Sequence, residues 1–321
     1  MTILVTGAAG FIASKTCELL LKAGHRVVGV DNLNDYYDVR LKKHRLKALL
    51  SHKRFVFIKA DIENKATLAK IFKKYSFGAG LNLAARAGVP YSLKNPTVYV
   101  TTNMLGTLNL LECWREFKIE KFILASTSSL YSDADMPFKE SYACNTPLSP
   151  YAASKKGAEA LCHSYHYLYG IDTIVLRYFT VYGPAGRPDM APFRFIEWIS
   201  REKSVLLNGS GAQSRDFTFV DDIARGTIQA LKISGFEIIN LGGSKDHRLL
   251  DLIQLIQKYT GKKAKLVHSK PLKVDALHTR ADISKAGKLL SWKPAVSLEE
   301  GVRRTVKWHL DNRALTSKMR I

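Results

Sequence analysis

Short apolar runs alternate with stretches of helical spacing through the first half of the chain. Thr2–Val5 is apolar and ends at Gly7, and Phe11–Lys22 then repeats its apolar positions at a helical period until Gly24 stops it. The same reading predicts strands at Arg26–Val30, Phe55–Ile58, Leu81–Ala84, Lys121–Ala125 and Asp172–Leu176, with helical segments at Thr67–Tyr75, Thr102–Trp114 and Tyr151–Tyr169. Pro150 opens the last of these and Gly170 closes it. Strands separated by helices of this length imply βαβ units, a parallel sheet and helices on both of its faces. Gly183, Pro184, Gly186, Pro188 and Pro192 then break the rhythm, while Asp221–Lys232 and Ile238–Leu241 read as a helix and strand returning to the sheet. The expected fold is α/β, a Rossmann-type doubly wound parallel sheet with a smaller interleaved C-terminal substrate domain. Its division would be 1–177 with a return of about 217–245, against 178–216 and 246–321.

Composition narrows the class without deciding the chemistry. The 321 residues are 46% hydrophobic and 24% charged, so the chain has ample material for a core. No apolar run approaches the roughly 18 to 20 residues of a membrane span, and the opening segment reads as strand and turn rather than as a signal peptide. Cys17, Cys113, Cys144 and Cys162 are too scattered for a disulfide framework or a metal knuckle, so a reduced, cytoplasmic protein with no metal is expected. The net charge of +21 favours anionic partners. Its densest stretch, Arg40–Arg54, has no aromatic residues for stacking bases and reads as a solvated basic face, which makes nucleic acid an unlikely partner.

Three features carry chemistry. Gly7-Ala-Ala-Gly10-Phe-Ile-Ala13 joins the first strand to the first helix, where glycine allows close backbone approach to a pyrophosphate and the helix end offers amide donors. Asp31 ends the second strand, where a carboxylate can accept from ribose hydroxyls and would repel a 2′-phosphate, favouring NAD over NADP. Tyr151 and Lys155 share a helix face at i, i+4. A free phenol titrates at about 10, and a nearby cation lowers that value toward a usable base. The hydroxyl cluster Ser126-Thr127-Ser128-Ser129 closes the fifth strand, the end at which open α/β sheets bind ligands.

Together, Gly-x-x-Gly-x-x-Ala, Thr127 before Leu130-Tyr131 and Tyr151-x-x-x-Lys155 resemble the extended short-chain dehydrogenase/reductase family, specifically its NAD-dependent epimerase/dehydratase branch. The resemblance continues through Asp31–Tyr37, Leu83–Ala85, Tyr178–Pro184, Ser214–Phe217 and Ala281–Lys285. It implies NAD as cofactor, held by Gly7, Gly10, Phe11, Ile12, Asp31, Asn32, Asp61, Ile62, Ala84, Tyr151 and Lys155. It also implies catalysis by Thr127, Tyr151 and Lys155, and a homodimer. Dehydratases of the family resemble Thr-Asp-Glu where this chain has Thr127-Ser128-Ser129, so reversible oxidation at C4 is expected without elimination. The segment Phe179–Met190 looks like that of UDP-glucuronate 4-epimerases, with Ser128, Thr180 and Arg187 placed for a C6 carboxylate. Arg215 resembles a diphosphate contact and Asp275 a ribose contact, while Leu272 stands where hexose epimerases often carry arginine. A UDP-glucose or UDP-N-acetylglucosamine 4-epimerase, a net dehydrogenase and a non-catalytic dinucleotide sensor remain open at this point. His163 and His166, and likewise Tyr259, Trp292 and Trp308, read as packing residues.

Overall fold

A computed structural model describes residues 1–132, 134–270 and 276–319. Its strands are β1 (Thr2–Thr6), β2 (Arg26–Asp31), β3 (Phe55–Lys59), β4 (Ala79–Asn82), β5 (Lys121–Thr127), β6 (Asp172–Tyr178), β7 (Thr180–Tyr182), β8 (Ser204–Asn208), β9 (Ser214–Phe219), β10 (Phe236–Leu241), β11 (Asp246–Arg248) and β12 (Lys265–Ser269). Seven of them form one parallel sheet in the order β10-β6-β5-β4-β1-β2-β3. The chain direction across the sheet reverses between β1 and β4, which opens a crevice at the C-terminal strand ends. Apolar clusters fill both faces: Ile3, Val5, Ala13, Leu20 and Leu176 pack on one side, and Leu4, Val28, Leu110, Trp114 and Val175 on the other. A third cluster, around Phe195, Ile199, Phe219, Ile253 and Val306, lies in the C-terminal part.

Three local expectations shift. β4 begins two residues before the predicted strand and ends at Asn82, because Leu83–Ala85 leave the sheet to pass over the glycine-rich turn. The predicted helix at Thr102–Trp114 starts as a π-helical segment, Val100–Leu105, and turns α-helical at Gly106–Glu116. β5 and β6 run on to Thr127 and Tyr178, so the hydroxyl cluster begins inside a strand, with Thr127 in register with Tyr178.

The basic run differs most from its reading. Val39–Leu50 is a helix, and its inward face buries Leu41, Leu46 and Leu49 together with Lys42 and Arg45. These two cations are not on a solvated face. The apolar spacing 41, 46, 49 was present in the sequence but hidden by the charges interleaved with it. Trp292 is buried, with its indole N–H donating to Asp222 O at 2.9 Å. The ring of Trp308 packs against His44, whereas the Tyr259 hydroxyl meets Glu299. His163 packs on Phe236, and His166 Nδ1 lies 3.0 Å from Ile171 O. Among the described residues no helix is long and apolar enough to cross a membrane, and no cluster of His, Cys, Asp and Glu could hold a metal.

Candidate active site

A cleft of about 520 Å³ opens where β1, β2, β4, β5 and β6 end. Its far wall is made by the segment after β6 and by β9. At its floor, Gly7 holds φ +69, and a Cβ there would sit 2.8 Å from Ala84 Cα. A Cβ on Gly10 would meet Gly7 O at 2.8 Å. Glycine is therefore required at both positions. The helix Phe11–Lys22 starts immediately after Gly10 with no side-chain cap and no acid in its first turn. Its free amides and positive dipole end suit a pyrophosphate.

Asp31 is buried at the end of β2 and accepts from Ala9 N at 3.1 Å and Leu33 N at 2.8 Å. A carboxylate has about four acceptor sites, so two such bonds leave capacity for ribose hydroxyls. Asn32 donates to Asp61 at 2.7 Å, and buried Ile62 adds an apolar wall. The cradle, the uncapped helix end and the carboxylate fit an adenine dinucleotide. Phe11, Ile12 and Ala84 line the same cleft.

The opposite flank is built by the helix Pro150–Tyr169, capped by Ser149 Oγ on Ala152 N. Two turns of this helix address consecutive parts of the β5 end. Lys155 Nζ donates to Ala125 O at 2.8 Å, and Tyr151 lines the cleft together with Thr127. Thr127 Oγ1 donates to Ser129 Oγ at 3.2 Å. Burial pushes the Tyr151 phenol above its ordinary value, against the opposing influence of the Thr127 hydroxyl and the charge of Arg187. Burial lowers Lys155 to about 8, with the Glu159 carboxylate opposing, so the ammonium is still charged at neutral pH. No carboxylate stands at positions 128 and 129, which are serines.

Arg187 lies on the far wall, where Asp189 accepts from its Nε at 3.0 Å and from its Nη2 at 2.5 Å. Nη2 also donates to Ala87 O at 3.0 Å, and the guanidinium lies 5.7 Å from the Tyr36 ring centroid. Burial would discharge this guanidinium, but Asp189 more than compensates and keeps it firmly cationic. Ser128, Thr180 and Arg215 line the cleft as well. Arg215 donates to the carbonyls of Ser214 and Leu277. Asp275, with Leu272 and Lys273, lies outside the described residues.

Sequence reasoning missed Lys42, whose Nζ reaches the cleft and donates to Asn34 O at 2.8 Å. Burial lowers its pKa to about 8, with Asp31 opposing. The signal was its place between Leu41 and Leu46 on the buried helix face. Arg86 and Pro90 also line the cleft, whereas Tyr91 packs its ring on Tyr36 behind it. Tyr99, absent from the reading, packs edge-to-face on Tyr151 with ring centroids 5.9 Å apart.

The profile of the NAD dependent epimerase/dehydratase family matches residues 3–242. A UDP-glucuronate 4-epimerase of Thermodesulfobacterium geofontis is 54% identical over 319 residues, covering 99% of both chains. The crystal structure of UDP-glucuronic acid 4-epimerase from Bacillus cereus, in complex with UDP-glucuronic acid and NAD, superposes with a TM-score of 0.93. It is 40% identical and covers 97% of this chain and 99% of that one. A UDP-glucose 4-epimerase of Thermotoga maritima, solved with UDP-glucose, superposes at 0.89 with 31% identity, over 98% of this chain and all of that one.

Proposed function

This chain belongs to the NAD-dependent epimerase/dehydratase family, and from that premise we propose that it interconverts UDP-glucuronate and UDP-galacturonate by transient oxidation at C4. One observation supports the reading above others: Thr127, Tyr151 and Lys155 share a cleft with the guanidinium of Arg187, and positions 128 and 129 beside Thr127 are serines rather than carboxylates. A tyrosine–lysine pair supports oxidation of a secondary alcohol. Ser128 and Ser129 cannot act as the carboxylates that would drive elimination afterwards.

Gly7, Gly10, Phe11 and Ile12 would hold the NAD pyrophosphate end, Asp31, Asn32, Asp61 and Ile62 the adenosine, and Ala84, Tyr151 and Lys155 the nicotinamide half. Bound NAD supplies a reversible hydride acceptor for C4 and, as a cation, part of the field that lowers the Tyr151 phenol. Tyr151 removes the O4 proton, and Thr127 hydrogen-bonds the same O4 to orient it. Lys155, fixed by Ala125 O, adds positive charge beside them. The 4-keto sugar turns in the cleft before Tyr151 returns the proton to O4.

Arg187 would meet the C6 carboxylate with its guanidinium, sharing its donors with Asp189, with Ser128 and Thr180 as further donors. Fixing that group also guards the intermediate, because a 4-keto glucuronate is a β-keto acid prone to losing CO₂. Arg215 and Asp275 would hold the diphosphate and uridine ribose. The division of labour follows 1–177 plus about 217–245 for NAD, and 178–216 plus 246–321 for the UDP-sugar. A cytoplasmic homodimer is part of the proposal, with exposed Val100, Leu105, Tyr167 and Leu168 as its apolar face.

The test is incubation of purified protein with UDP-glucuronate, and separately with UDP-glucose, without added NAD. Galacturonate from the first and little galactose from the second is the expected result. Galactose alone would remove the role given to Arg187, and a pentose would mean that decarboxylation follows oxidation.

A further inference from the structure

Arg45 is a buried cation with no carboxylate partner among the described contacts. All five N–H donors of its guanidinium are engaged, each by a neutral oxygen. Nε and Nη2 donate to Ala185 O at 2.9 and 2.7 Å, and Nη2 also reaches Gly186 O at 3.3 Å. Nη1 donates to Ala9 O at 3.1 Å and to the Tyr37 hydroxyl at 2.6 Å. The rings of Phe11 and Tyr37 flank the group, with centroids 5.8 and 5.4 Å from Cζ.

The carbonyl acceptors belong to two different turns, each of which leads into the cleft wall. Ala9 lies inside the glycine-rich turn, and its own amide is held by Asp31. Ala185 and Gly186 form the turn that ends at Arg187, and Ala185 adopts φ +55, an unfavourable conformation for a residue with a Cβ. Gly183, at φ +152, begins the same turn. A conformation of this kind persists only when its surroundings over-determine it, and the paired bonds from Arg45 do so here.

We propose that Arg45 is a positioning residue that locks the Gly183–Arg187 turn onto the glycine-rich turn, so that seating NAD and placing Arg187 for its anionic substrate are one linked event. The proposal rests on the reading of Arg187 as a carboxylate contact. Linkage is reciprocal: if each ligand settles its own turn, and one side chain joins the turns, each ligand tightens the other. Lysine cannot replace the guanidinium, because it has three donors and no planar fork.

The experiment measures the Kd of UDP-glucuronate, and the Kd of NAD on NAD-stripped protein with and without UDP-glucuronate, by calorimetry for the wild type, Arg45→Lys and Arg187→Met. In the wild type, UDP-glucuronate should tighten NAD about tenfold, a typical size for coupling between sites. Arg45→Lys should weaken NAD about tenfold and reduce the tightening to less than about twofold, with the fold intact by circular dichroism. A wild type without tightening would overturn the proposal. So would an Arg45→Lys protein that keeps either the NAD affinity or the tightening, or whose only change is a lower Tm. Arg187→Met separates the two ideas. Unchanged UDP-glucuronate affinity in that variant removes the carboxylate reading, while the NAD affinity of Arg45→Lys still reports on the lock.

Discussion

The two walls of the cleft are built on different principles. The wall carrying Thr127, Tyr151 and Lys155 comes from one strand end and one helix, which meet through short hydrogen bonds from Lys155 to Ala125 O and from Ser126 to Glu159. The facing wall is assembled from separate segments: Thr180 from β7, Arg187 from a turn, Arg215 from β9. The groups on the two walls are also charged differently. Lys155, like Lys42 beside the cofactor floor, is bonded to a backbone carbonyl, whereas Arg187 holds an aspartate. A cation whose direct partner is a neutral carbonyl leaves more of its field for the ligand than one bonded to a carboxylate. A guanidinium paired with Asp189 stays charged in a buried wall and must share its donors when a carboxylate arrives. The first wall suits chemistry that is common to many substrates, and the second suits selection among them.

The largest effect should come from breaking the first wall. Tyr151→Phe removes the only proposed base and should lower kcat by about 10²- to 10⁴-fold, with NAD still bound at the wild-type level. A variant that still turns over at the wild-type rate would take tyrosine out of its role. On the second wall, Arg187→Met should raise KM for UDP-glucuronate about 10- to 100-fold, the range expected for losing charge-assisted hydrogen bonds. It should change the handling of UDP-glucose little, and steady-state kinetics on both sugars read this out. Asp31→Asn retains the shape but not the charge at the cofactor floor. It should weaken NAD about tenfold and narrow the preference over NADP, as seen by cofactor titration.

The smallest effect sharpens the comparison through pH. Burial lowers Lys155 to about 8, so its positive charge is present below that pH and lost above it. kcat/KM should therefore fall as pH rises past about 8. Glu159 holds the lysine charged, so Glu159→Gln should move that alkaline limb to lower pH. A limb that does not move would detach Lys155 from the pH dependence.

Both turn chemistry and helix spacing were legible in the sequence. Gly7 and Gly10 sit where a Cβ has no room, and Tyr151 with Lys155 needs only the helix that Pro150 and Gly170 delimit. The second wall was legible only by resemblance, because its contacts depend on distant partners. Arg45 meets Ala185 across 140 positions, and no local pattern announces such a pairing. Burial of Lys42 and Arg45 was hidden for the same reason: charged residues normally face water, and only the carbonyls of other segments make these sites tolerable. Asp216 is a further example. Its buried carboxylate accepts from Ala281 N and Ser244 N, joining β9 to two later loops, and burial raises its pKa to about 6.

The central claim is that the hydride removed from C4 returns to the same carbon. The most direct test is to incubate the protein with UDP-glucuronate deuterated at C4, in ordinary water and without added NAD, and to examine the product by mass spectrometry and NMR. The account predicts UDP-galacturonate that retains its deuterium at C4. Product with that label lost to water would contradict it.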